Sequence, residues 1–347
     1  MRDVIEKLDQ WRQENEQIAV TTVVETWGSA PRPVGSKMVT TMSGGIAGSV
    51  SAGCVEGAVI QEAEQVMNSN LPHLIEFGVA DETAWEVGLA CGGKIKVFVE
   101  PGFSLDSIYP EVRNNLLNGN PFVTITYLDG PSNYVNKKLL LGINGELVGD
   151  LKFPNDMVDD LKSTAVEFLA DEKSGTITLA DGSRVFIESH PLPPKLIIVG
   201  AVHLAEPLIA IANTTGFDTL LIDPREAFAT EERFPDVGEL IQEWPQEALK
   251  NLILDSSAYI VVLTHDPKLD DPALQIALTS EARYIGALGS RRTNQKRIER
   301  LRNVGISEAQ LSRLHAPIGI DLGGRSSSEI AVSIMAEIIK VRNDHTD

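Results

Sequence analysis

Lys195-Leu-Ile-Ile-Val-Gly-Ala-Val-His-Leu-Ala205 is the stretch that decides the fold of the second half of the chain. It opens with a short apolar run that ends at Gly200, which is typical of a strand buried on both faces of a sheet. A helix is predicted from about residue 203 to 213, and the apolar run Thr219–Asp223 follows it. This succession of strand, helix and strand predicts a βαβ unit and a Rossmann-like sheet of parallel strands.

The same alternation of strands and helices continues beyond this unit. Two more strands, two more helices and a final helix are predicted at Ala258–Leu263, Tyr284–Leu288, 272–280, 293–303 and from Ser326 onward. Ser326 and Glu329 form a capping box at the start of the final helix. Residues 195–347 are therefore predicted to form a doubly wound α/β domain with a parallel sheet.

Pro191-Leu-Pro-Pro194 is the predicted boundary between two domains, because three prolines in four residues cannot continue a helix or a central strand. A chain of 347 residues is long enough for two domains of about 150 residues each. Before the boundary, strand patterns such as Ile18–Thr26 and turns such as Asn144-Gly145 alternate with helical patterns such as Asn155–Ala170. Residues 1–190 are therefore predicted to form an α+β domain.

Met42-Ser-Gly-Gly-Ile-Ala-Gly-Ser-Val-Ser-Ala-Gly-Cys-Val-Glu-Gly57 surrounds a cysteine with five glycines. Apolar residues recur at helical spacing after it, so a helix is predicted to begin at or just beyond Cys54. The positive end of a helix lowers the pKa of a thiol, and glycines let backbone amides approach a phosphate or a metal–oxo group. The stretch predicts a reactive or metal-binding cysteine, although an inert cysteine in a glycine-rich turn has the same pattern.

Cys91 is the second cysteine, and it opens the stretch Cys91-Gly-Gly93 directly before a predicted strand. Two cysteines cannot form a disulfide framework for so long a chain. In a reducing cytosol such a pair is more often a redox, metal or nucleophile site. We therefore predict that Cys54 and Cys91 lie across one cleft.

The composition and the net charge argue against several classes of protein. No apolar run approaches the roughly 18 residues of a membrane helix, and the first residues lack the apolar centre of a signal peptide, which predicts a soluble cytoplasmic protein. The net charge of −19 argues against non-specific binding of nucleic acid. Residues 283–302 are an exception, because seven Arg and Lys residues stand there against the single acid Glu299.

Gly200 and Asp223 hold two positions of a dinucleotide-binding fingerprint, the first glycine and the acid that hydrogen-bonds a ribose about twenty residues later. Val202 stands where a second glycine normally lets a pyrophosphate approach the backbone, so NAD(P) is predicted to bind poorly. His203 begins the following helix and His265 follows an apolar strand, which are places where ligands bind in open α/β sheets. Both positions suit a structural histidine as well.

Two glycine-containing turns before helices predict anion sites. Arg291 and Arg292 follow a strand end and Gly286-Ala-Leu-Gly289, and Gly323-Gly-Arg325 precedes the capped final helix. Arginine binds phosphate or carboxylate through two parallel hydrogen bonds. A solvated basic face and ordinary turn residues are the alternatives, and the two turns together favour a ligand rich in phosphate.

Several motifs in one order identify a family that the chain resembles. They are Gly28-Ser-Ala-Pro-Arg-Pro-Val-Gly35, Gly48-Ser-Val-Ser-Ala-Gly-Cys-Val-Glu56, Cys91-Gly-Gly93, Gly200-Ala-Val-His203, Tyr284-Ile-Gly-Ala-Leu-Gly-Ser-Arg-Arg-Thr293 and His315-Ala-Pro-Ile-Gly-Ile-Asp321. Over nearly its whole length the chain resembles the XdhC/CoxI family of accessory proteins for molybdenum hydroxylases. Members commonly have Gly-Ala-Gly-His where this chain has Val202.

The resemblance implies three activities. They are binding of the molybdenum cofactor in its molybdopterin form, help in exchanging an oxo for a sulfido ligand with persulfide sulfur from a cysteine desulfurase, and delivery to an apo molybdenum hydroxylase such as xanthine or carbon monoxide dehydrogenase. A homodimer is expected, with no nucleic acid and no membrane as partner.

The sequence leaves three hypotheses open. In the first, a cofactor accessory protein, Cys54 and Cys91 are catalytic and hold the molybdenum. The other residues assigned to cofactor binding are Gly53, Glu56, Gly92, Gly93, Gly200, His203, Asp223, His265, Arg291, Arg292, Gly323 and Arg325. The second is an NAD(P)-dependent oxidoreductase built on the C-terminal domain, and the third is a chaperone whose cysteines only ligate the metal.

Overall fold

The computed structural model describes residues 1–78, 93–151 and 155–344, and for residues 155–157 the backbone alone. The chain divides into two compact units, Met1–Leu192 and Pro193–Asp347. The division falls inside the proline-rich stretch Pro191–Pro194. Within the described residues, no helix is long and apolar enough to cross a membrane.

The N-terminal unit is built on two antiparallel sheets of five strands. Its described elements are α1 (Ile5–Gln13), β1 (Ile18–Trp27), β2 (Lys37–Thr41), β3 (Ile46–Gly48), α2 (Glu56–Ser69), β4 (His73–Gly78), β5 (Lys94–Pro101), a 3-10 helix (Gly102–Leu105), α3 (Tyr109–Asn118), β6 (Phe122–Asp129), β7 (Lys138–Gly142), β8 (Leu147–Gly149), α4 (Asn155–Ala170), β9 (Gly175–Thr178) and β10 (Arg184–His190). The strand orders are β3-β2-β1-β5-β4 and β8-β7-β6-β10-β9. The α+β prediction for this half is confirmed.

The two sheets repeat one arrangement, which the sequence patterns do not reveal. Each repeat runs through three strands, a helix and two further strands, and equivalent strands occupy the same place in their sheets. The registers agree as well, since Thr22 pairs with Lys37 between β1 and β2, and Thr126 pairs with Lys138 between β6 and β7. The N-terminal unit is therefore an internal repeat, with its first copy in β1–β5 and its second in β6–β10.

Gly48 and Gly149 show how closely the two copies agree. Each ends the third strand of its repeat with a positive φ, +76° and +144° respectively. A Cβ at either position would collide with a backbone carbonyl oxygen, that of Lys37 in the first copy and that of Lys138 in the second. Only glycine allows this close approach of two strands with such a backbone conformation.

Two buried ion pairs join the repeats between the sheets. Lys37 Nζ lies 2.8 Å from Glu188 Oε2, and Lys138 Nζ lies 2.8 Å from Glu100 Oε2. Each lysine also donates to the threonine opposite it in its own sheet, at 3.0 and 3.1 Å. All four charged side chains are less than 10% exposed. Since each pair takes one residue from either sheet, the pairs fix how the two sheets face each other.

His190 borders the same space between the sheets. Its ring stacks on Phe122 with 4.3 Å between the ring centroids. Burial lowers the pKa of His190 to about 4, against the attraction of the nearby Glu188 carboxylate. The histidine is therefore neutral in the folded chain at neutral pH.

We expect this histidine to make the stability of the N-terminal unit depend on pH. Between its ordinary pKa of 6.5 and its folded pKa of about 4, the unfolded chain binds a proton at His190 that the folded chain does not. The free energy of unfolding should therefore fall by roughly 3 kcal/mol as the pH is lowered through this window. Glu188, whose pKa is lowered to about 2 although burial opposes this, adds its own loss only below its ordinary value of 4.5.

Urea titrations from about pH 7 to about pH 4.5 measure this dependence. His190→Gln removes the titrating group and should flatten the curve. His203→Gln changes a histidine that is 78% exposed and should leave the curve as in the unaltered protein. Parallel curves for His190→Gln and the unaltered protein would show that His190 does not resist protonation.

The C-terminal unit is built on one parallel sheet of six strands. Its elements are β11 (Lys195–Val199), α5 (Ala205–Thr214), β12 (Asp218–Ile222), β13 (Glu239–Ile241), α6 (Pro245–Lys250), β14 (Ala258–Val262), α7 (Pro267–Thr279), β15 (Tyr284–Ala287), α8 (Arg291–Asn303), α9 (Glu308–Leu311), β16 (Leu314–His315) and α10 (Ser327–Asn343). The strand order is β13-β12-β11-β14-β15-β16 with parallel pairs throughout. The prediction of a Rossmann-like, doubly wound domain is confirmed.

The helices of this unit lie on both faces of the sheet. Helices α5 and α10 pack on the face of β11 that carries Leu196 and Ile198. Helices α6 to α9 pack on the face that carries Ile197 and Val199. The strand order reverses between β11 and β14, and in such sheets ligands bind outside the carboxyl ends of the strands at this point. The loops after β11, β12, β14 and β15, which carry most of the C-terminal candidate residues, all lie at this edge.

Candidate functional site

The loop between β3 and α2 is held by a carboxylate from the first turn of the helix that follows it. Glu56 Oε1 accepts hydrogen bonds from Ser49 Oγ at 2.6 Å and from the Ser51 backbone N–H at 2.9 Å. Glu56 Oε2 accepts from the Gly53 backbone N–H at 2.8 Å and from the Ser51 hydroxyl. Cys54 lies in this loop, two residues before α2, and is exposed. We call residues 49–56 the cysteine loop.

The charge state of Glu56 follows from these contacts. Burial alone would raise the pKa of Glu56, but hydrogen bonds from Ser49 and Ser51 lower it to about 2. The carboxylate is therefore ionised throughout the physiological range, and it occupies backbone donors that the glycines were predicted to offer to a phosphate. The prediction that Glu56 binds the cofactor remains a prediction, since the structure shows it bound to its own loop.

Two further segments lie close to the cysteine loop. Val50 and Val55, which are buried, belong to one apolar cluster with Val59 of α2, and Ala30 packs against this cluster. Gly93, just before β5, comes so close to the Ser29–Ala30 backbone that a Cβ would lie 2.8 Å from the Ser29 carbonyl carbon. The loop after β1 and the start of β5 are thus neighbours of the segment that carries Cys54. Cys91 and Gly92 lie outside the described residues, so the shared cleft of the two cysteines stays a prediction.

The glycine turn of the C-terminal unit is likewise held by a carboxylate of the chain. Gly200 has a φ of +117°, and a Cβ there would lie 2.5 Å from Thr264 Cγ2. Asp223 is fully buried and accepts the Ala201 backbone N–H at 2.7 Å and the Arg225 guanidinium at 2.8 and 2.6 Å. Burial would raise the pKa of Asp223, but hydrogen bonds from Arg225 and Ala201 lower it. The acid predicted to bind a ribose hydroxyl is therefore engaged within the protein.

The residues at the start of α5 have contacts that the dinucleotide-binding fingerprint does not predict. Val202 packs against the hydrophobic core beneath α5, so its side chain contributes to folding. His203 is 78% exposed, and its Nδ1 lies 3.1 Å from Glu206 Oε2. Glu206 also accepts from Arg233 at 3.0 Å. An acidic side chain thus stands in the first turn of the helix, where a dinucleotide would place its pyrophosphate.

We expect NAD and NADP to bind no tighter than about 0.1 mM, or about −5.5 kcal/mol. The reasons are that the Ala201 N–H is given to Asp223 and that Val202 stands where a glycine normally lets a pyrophosphate approach the backbone. Titration calorimetry measures the affinity, and micromolar binding with hydride transfer would favour the oxidoreductase hypothesis instead.

Val202→Gly provides a second measurement. The fingerprint alone predicts that this change improves nucleotide binding, whereas the packing of Val202 predicts a loss of stability, roughly 1 kcal/mol or more, and no gain in affinity.

Three of the seven cations in the predicted basic strip form ion pairs with acids of the same unit. Arg297 is 2% exposed and lies 2.7 Å from Asp270. Arg300 pairs with Asp271 and Arg302 with Glu308, at 2.5 Å each. These three arginines link α8 to α7 and α9, and each already has an acid of the protein as its partner.

Arg291 and Arg292 differ from the three paired arginines of the strip. They are the first two residues of α8, they are exposed, and neither forms an ion pair within the part of the chain that the structure describes. Ser290 caps the helix by accepting the Thr293 N–H at 3.1 Å. Two cations in the first turn oppose the helix dipole, so they gain most from an added anion.

The other two C-terminal candidates have different surroundings. His265 is exposed and has a φ of +64° in the loop after β14. Gly323 and Arg325 lie in an exposed loop before α10, where Glu329 Oε2 accepts the backbone N–H groups of Arg325 and Ser326 at 3.0 and 2.9 Å. The predicted capping box is present, and it occupies the donors that an anion would use.

Two family models match this chain. The model of the XdhC Rossmann domain matches residues 196–338, and the model of the XdhC and CoxI family matches residues 11–78, including the cysteine loop. Together they span more than half of the 347 residues. The chain belongs to the XdhC/CoxI family.

Relatives of this XdhC/CoxI chain cover nearly its full length. A Bacillus subtilis (strain 168) protein, described as a probable subunit of xanthine dehydrogenase, is 28% identical over 338 residues, which are 96% of each chain. The molybdenum cofactor insertion chaperone PaoD of Escherichia coli (strain K12) is 25% identical over 324 residues, 93% of this chain and 83% of PaoD. A crystal structure of a xanthine dehydrogenase from Bacillus halodurans has the same fold, with a TM-score of 0.80 and 24% identity over 99% of this chain and 96% of that one.

One polar cluster of this XdhC/CoxI protein was missed at the level of sequence. Glu337 of α10 accepts from the Tyr284 hydroxyl at 2.5 Å and from the Gly319 N–H at 2.8 Å, and it lies 3.2 Å from His315 Nδ1. These residues tie α10 to the edge of the sheet. His315 and Gly319 belong to a motif of the resemblance, which was the available signal. Among the described residues, no group of three or more His, Cys, Asp and Glu could hold a metal ion.

Proposed function

We propose that this protein binds the molybdenum cofactor through Cys54 and passes it to an apo molybdenum hydroxylase. The observation that carries the proposal is the exposed thiol of Cys54 on a loop fixed by hydrogen bonds to Glu56. The names of the relatives support it, since one is a molybdenum cofactor insertion chaperone and another belongs, by its description, to a probable xanthine dehydrogenase.

The described residues suit a cargo that brings its own metal ligands. A molybdopterin holds molybdenum through its dithiolene sulfurs, so a carrier protein needs only one further soft ligand, and a thiolate is such a ligand. A site with three or more protein ligands is absent from the described residues, in agreement with transient holding. The cysteine loop does not suit a phosphate, because Glu56 already accepts its N–H groups.

The C-terminal unit, considered by itself, offers residues for a phosphate. Arg291 and Arg292 are the best-suited residues, since both are exposed cations at a helix start with no ion pair to a described residue.

The proposal includes a sulfur-carrying role for Cys54. Its thiolate attacks the terminal sulfur of a persulfide on a cysteine desulfurase and displaces the desulfurase thiolate. Cys54 then carries the persulfide, one S–S bond has formed and one has broken, and no electron acceptor is needed. Cys91, which we predict to lie across the same cleft, would ligate the metal or receive the sulfur. Two copies of the chain are expected to form the functional dimer.

Cofactor analysis of the purified protein tests the proposal. The chain is produced in a host fed with molybdate, and molybdenum and pterin are measured after gel filtration. We expect both to elute with the protein in equal amounts and to leave it when an apo molybdenum hydroxylase is added, which gains activity. Protein free of molybdenum and pterin, with no effect on the apo-enzyme, would contradict the proposal.

Arg291 and Arg292 give a separate prediction. Changing both to Ala should weaken cofactor binding by about 1–3 kcal/mol, because charged hydrogen bonds to phosphate are lost. Equilibrium dialysis against the pterin measures the effect. Lys268→Ala is the control, since it removes an exposed lysine of α7 in the same unit. Equal binding of the pterin by both variants would show that the two arginines only form a solvated basic face.

A further inference from the structure

The cysteine loop has a backbone conformation that its own sequence does not favour. Ala52 and Gly53 both have a positive φ, +55° and +107°. The left-handed region is costly for a residue with a Cβ and persists only when other contacts hold it. Ala52 and Gly53 are both exposed, so packing does not hold them in place. The hydrogen bonds of the loop are the contacts that remain.

These hydrogen bonds converge on one residue. Glu56 receives two backbone N–H groups and two hydroxyls from residues 49–53, and Ser51 Oγ in turn accepts the Val55 N–H at 2.8 Å. Cys54 stands between Gly53, which donates to Glu56, and Val55, which is buried. The backbone of Cys54 is therefore held by Glu56 on its N-terminal side and by the apolar core on its C-terminal side.

The second repeat has a different residue at the position of Ser49. Asp150 takes the place of Ser49 there, directly after the glycine that ends the third strand. Its carboxylate accepts the Lys138 N–H at 2.9 Å and lies 2.8 Å from Lys137 Nζ. At this position the second repeat thus has an acid that holds its own strand, whereas the first repeat has a serine that donates to Glu56.

We infer that Glu56 is a positioning residue, which holds the cysteine loop so that Cys54 presents its thiol to the cofactor. The inference rests on the proposed role of Cys54 and extends it to a residue that touches no ligand. It is an alternative to the prediction that Glu56 binds the cofactor directly. Ser49 and Ser51 take part as the donors that keep the carboxylate in place.

Glu56→Gln tests the inference, because it keeps the shape of the side chain and removes two of its acceptor sites. Glu64→Gln is the matched control, since it makes the same change on an exposed face of α2. We expect Glu56→Gln to lower the molybdenum retained per chain at least about tenfold, which is the size of effect seen when residues that orient a metal ligand are changed. Glu64→Gln should retain as much as the unaltered protein.

A second readout does not depend on the cofactor. Hydrogen exchange of the backbone N–H groups of Ser51 and Gly53 is followed in the cofactor-free protein by mass spectrometry of peptides that cover residues 49–56. Glu56→Gln keeps only one of the two acceptor oxygens, so at least one of these N–H groups should exchange faster, while Glu64→Gln should leave their exchange unchanged. Unchanged exchange together with unchanged retention overturns the inference.

Two further measurements distinguish failure of the inference from unfolding of the variant and from failure of the proposed function. If Glu56→Gln lowers the melting temperature by more than about 5 °C, Ser49→Ala, which removes one contact of the carboxylate, takes its place and is judged by the same two readouts. If Cys54→Ser retains molybdenum, the proposed function fails, and the hydrogen exchange of Ser51 and Gly53 alone decides whether Glu56 holds the cysteine loop.

Discussion

Glu188→Gln will lower the free energy of unfolding of the N-terminal unit by about 3–5 kcal/mol, the cost of leaving a buried charge without its partner. Lys37 is 4% exposed and lies 2.8 Å from the Glu188 carboxylate. With a neutral partner the ammonium group stays buried, or the lysine loses its proton. Both outcomes raise the free energy of the folded chain and leave that of the unfolded chain unchanged. Denaturation by urea, followed by far-ultraviolet circular dichroism, measures the difference.

The internal repeat supplies the matched comparison. Glu100→Gln leaves Lys138, which is 3% exposed, in the same situation and should cost a similar amount. The double variant Lys37→Met with Glu188→Leu removes both charges and should recover most of the loss. Glu76→Gln is the control, because Glu76 is 46% exposed in its pair with Lys94 and should change the stability by less than about 1 kcal/mol. A cost below about 1 kcal/mol for both buried variants would show that neither pair is ionised.

Cys54→Ser will remove most of the molybdenum that purifies with the protein, a loss that we expect to reach roughly a hundredfold. A serine hydroxyl has nearly the same size as the thiol but is a poor ligand for a soft metal centre and cannot carry a persulfide. Because Cys54 is exposed, the change should leave the melting temperature within about 3 °C of the unaltered protein.

Cys54→Ser also separates sulfur transfer from simple ligation. Incubation with a cysteine desulfurase and cysteine should add one sulfur atom to the Cys54 peptide of the unaltered protein, detected by mass spectrometry. Cys91→Ser should still accept sulfur at Cys54 if Cys54 is the first acceptor. Normal molybdenum content in Cys54→Ser would contradict the proposed function, and full loading of molybdenum without any persulfide would leave Cys54 as a ligand alone.

The strongly patterned elements could be predicted from sequence. Helix α4 spans the predicted residues Asn155–Ala170, and α10 begins after the predicted capping residue Ser326. The internal repeat could not be predicted, because it rests on equivalent positions such as Lys37 and Lys138 whose surrounding sequences differ. Lys37 is buried, whereas strand faces are usually assigned on the rule that lysine is exposed. Glu188, the partner of Lys37, lies far along the chain, so only the packing of the two sheets brings them together.

The predicted anion sites differ from the structure in an informative way. Glycine-rich turns at helix starts are places that attract negative charge, as predicted. In three of them the charge comes from the protein, through Glu56 for the cysteine loop, Asp223 for the turn after β11 and Glu329 for the loop before α10. Two of these acids stand within the first three residues of the helix that they cap, which is a signal visible in the sequence. The turn of Arg291 and Arg292 has no such acid in its first turn.

The two copies of the internal repeat share their contacts between the sheets but differ in the loop after the third strand. A pair of repeats linked by reciprocal Lys–Glu contacts resembles a symmetric dimer that has been joined into one polypeptide. Once joined, the halves no longer have to be identical, and only the residues that meet between the sheets must remain compatible. The second half keeps an acid on its own strand at Asp150, and the first half has an exposed cysteine on its loop. The exposed residues 52–54 of the loop take no part in the ion pairs that join the two sheets, so a change of sequence there leaves those pairs intact.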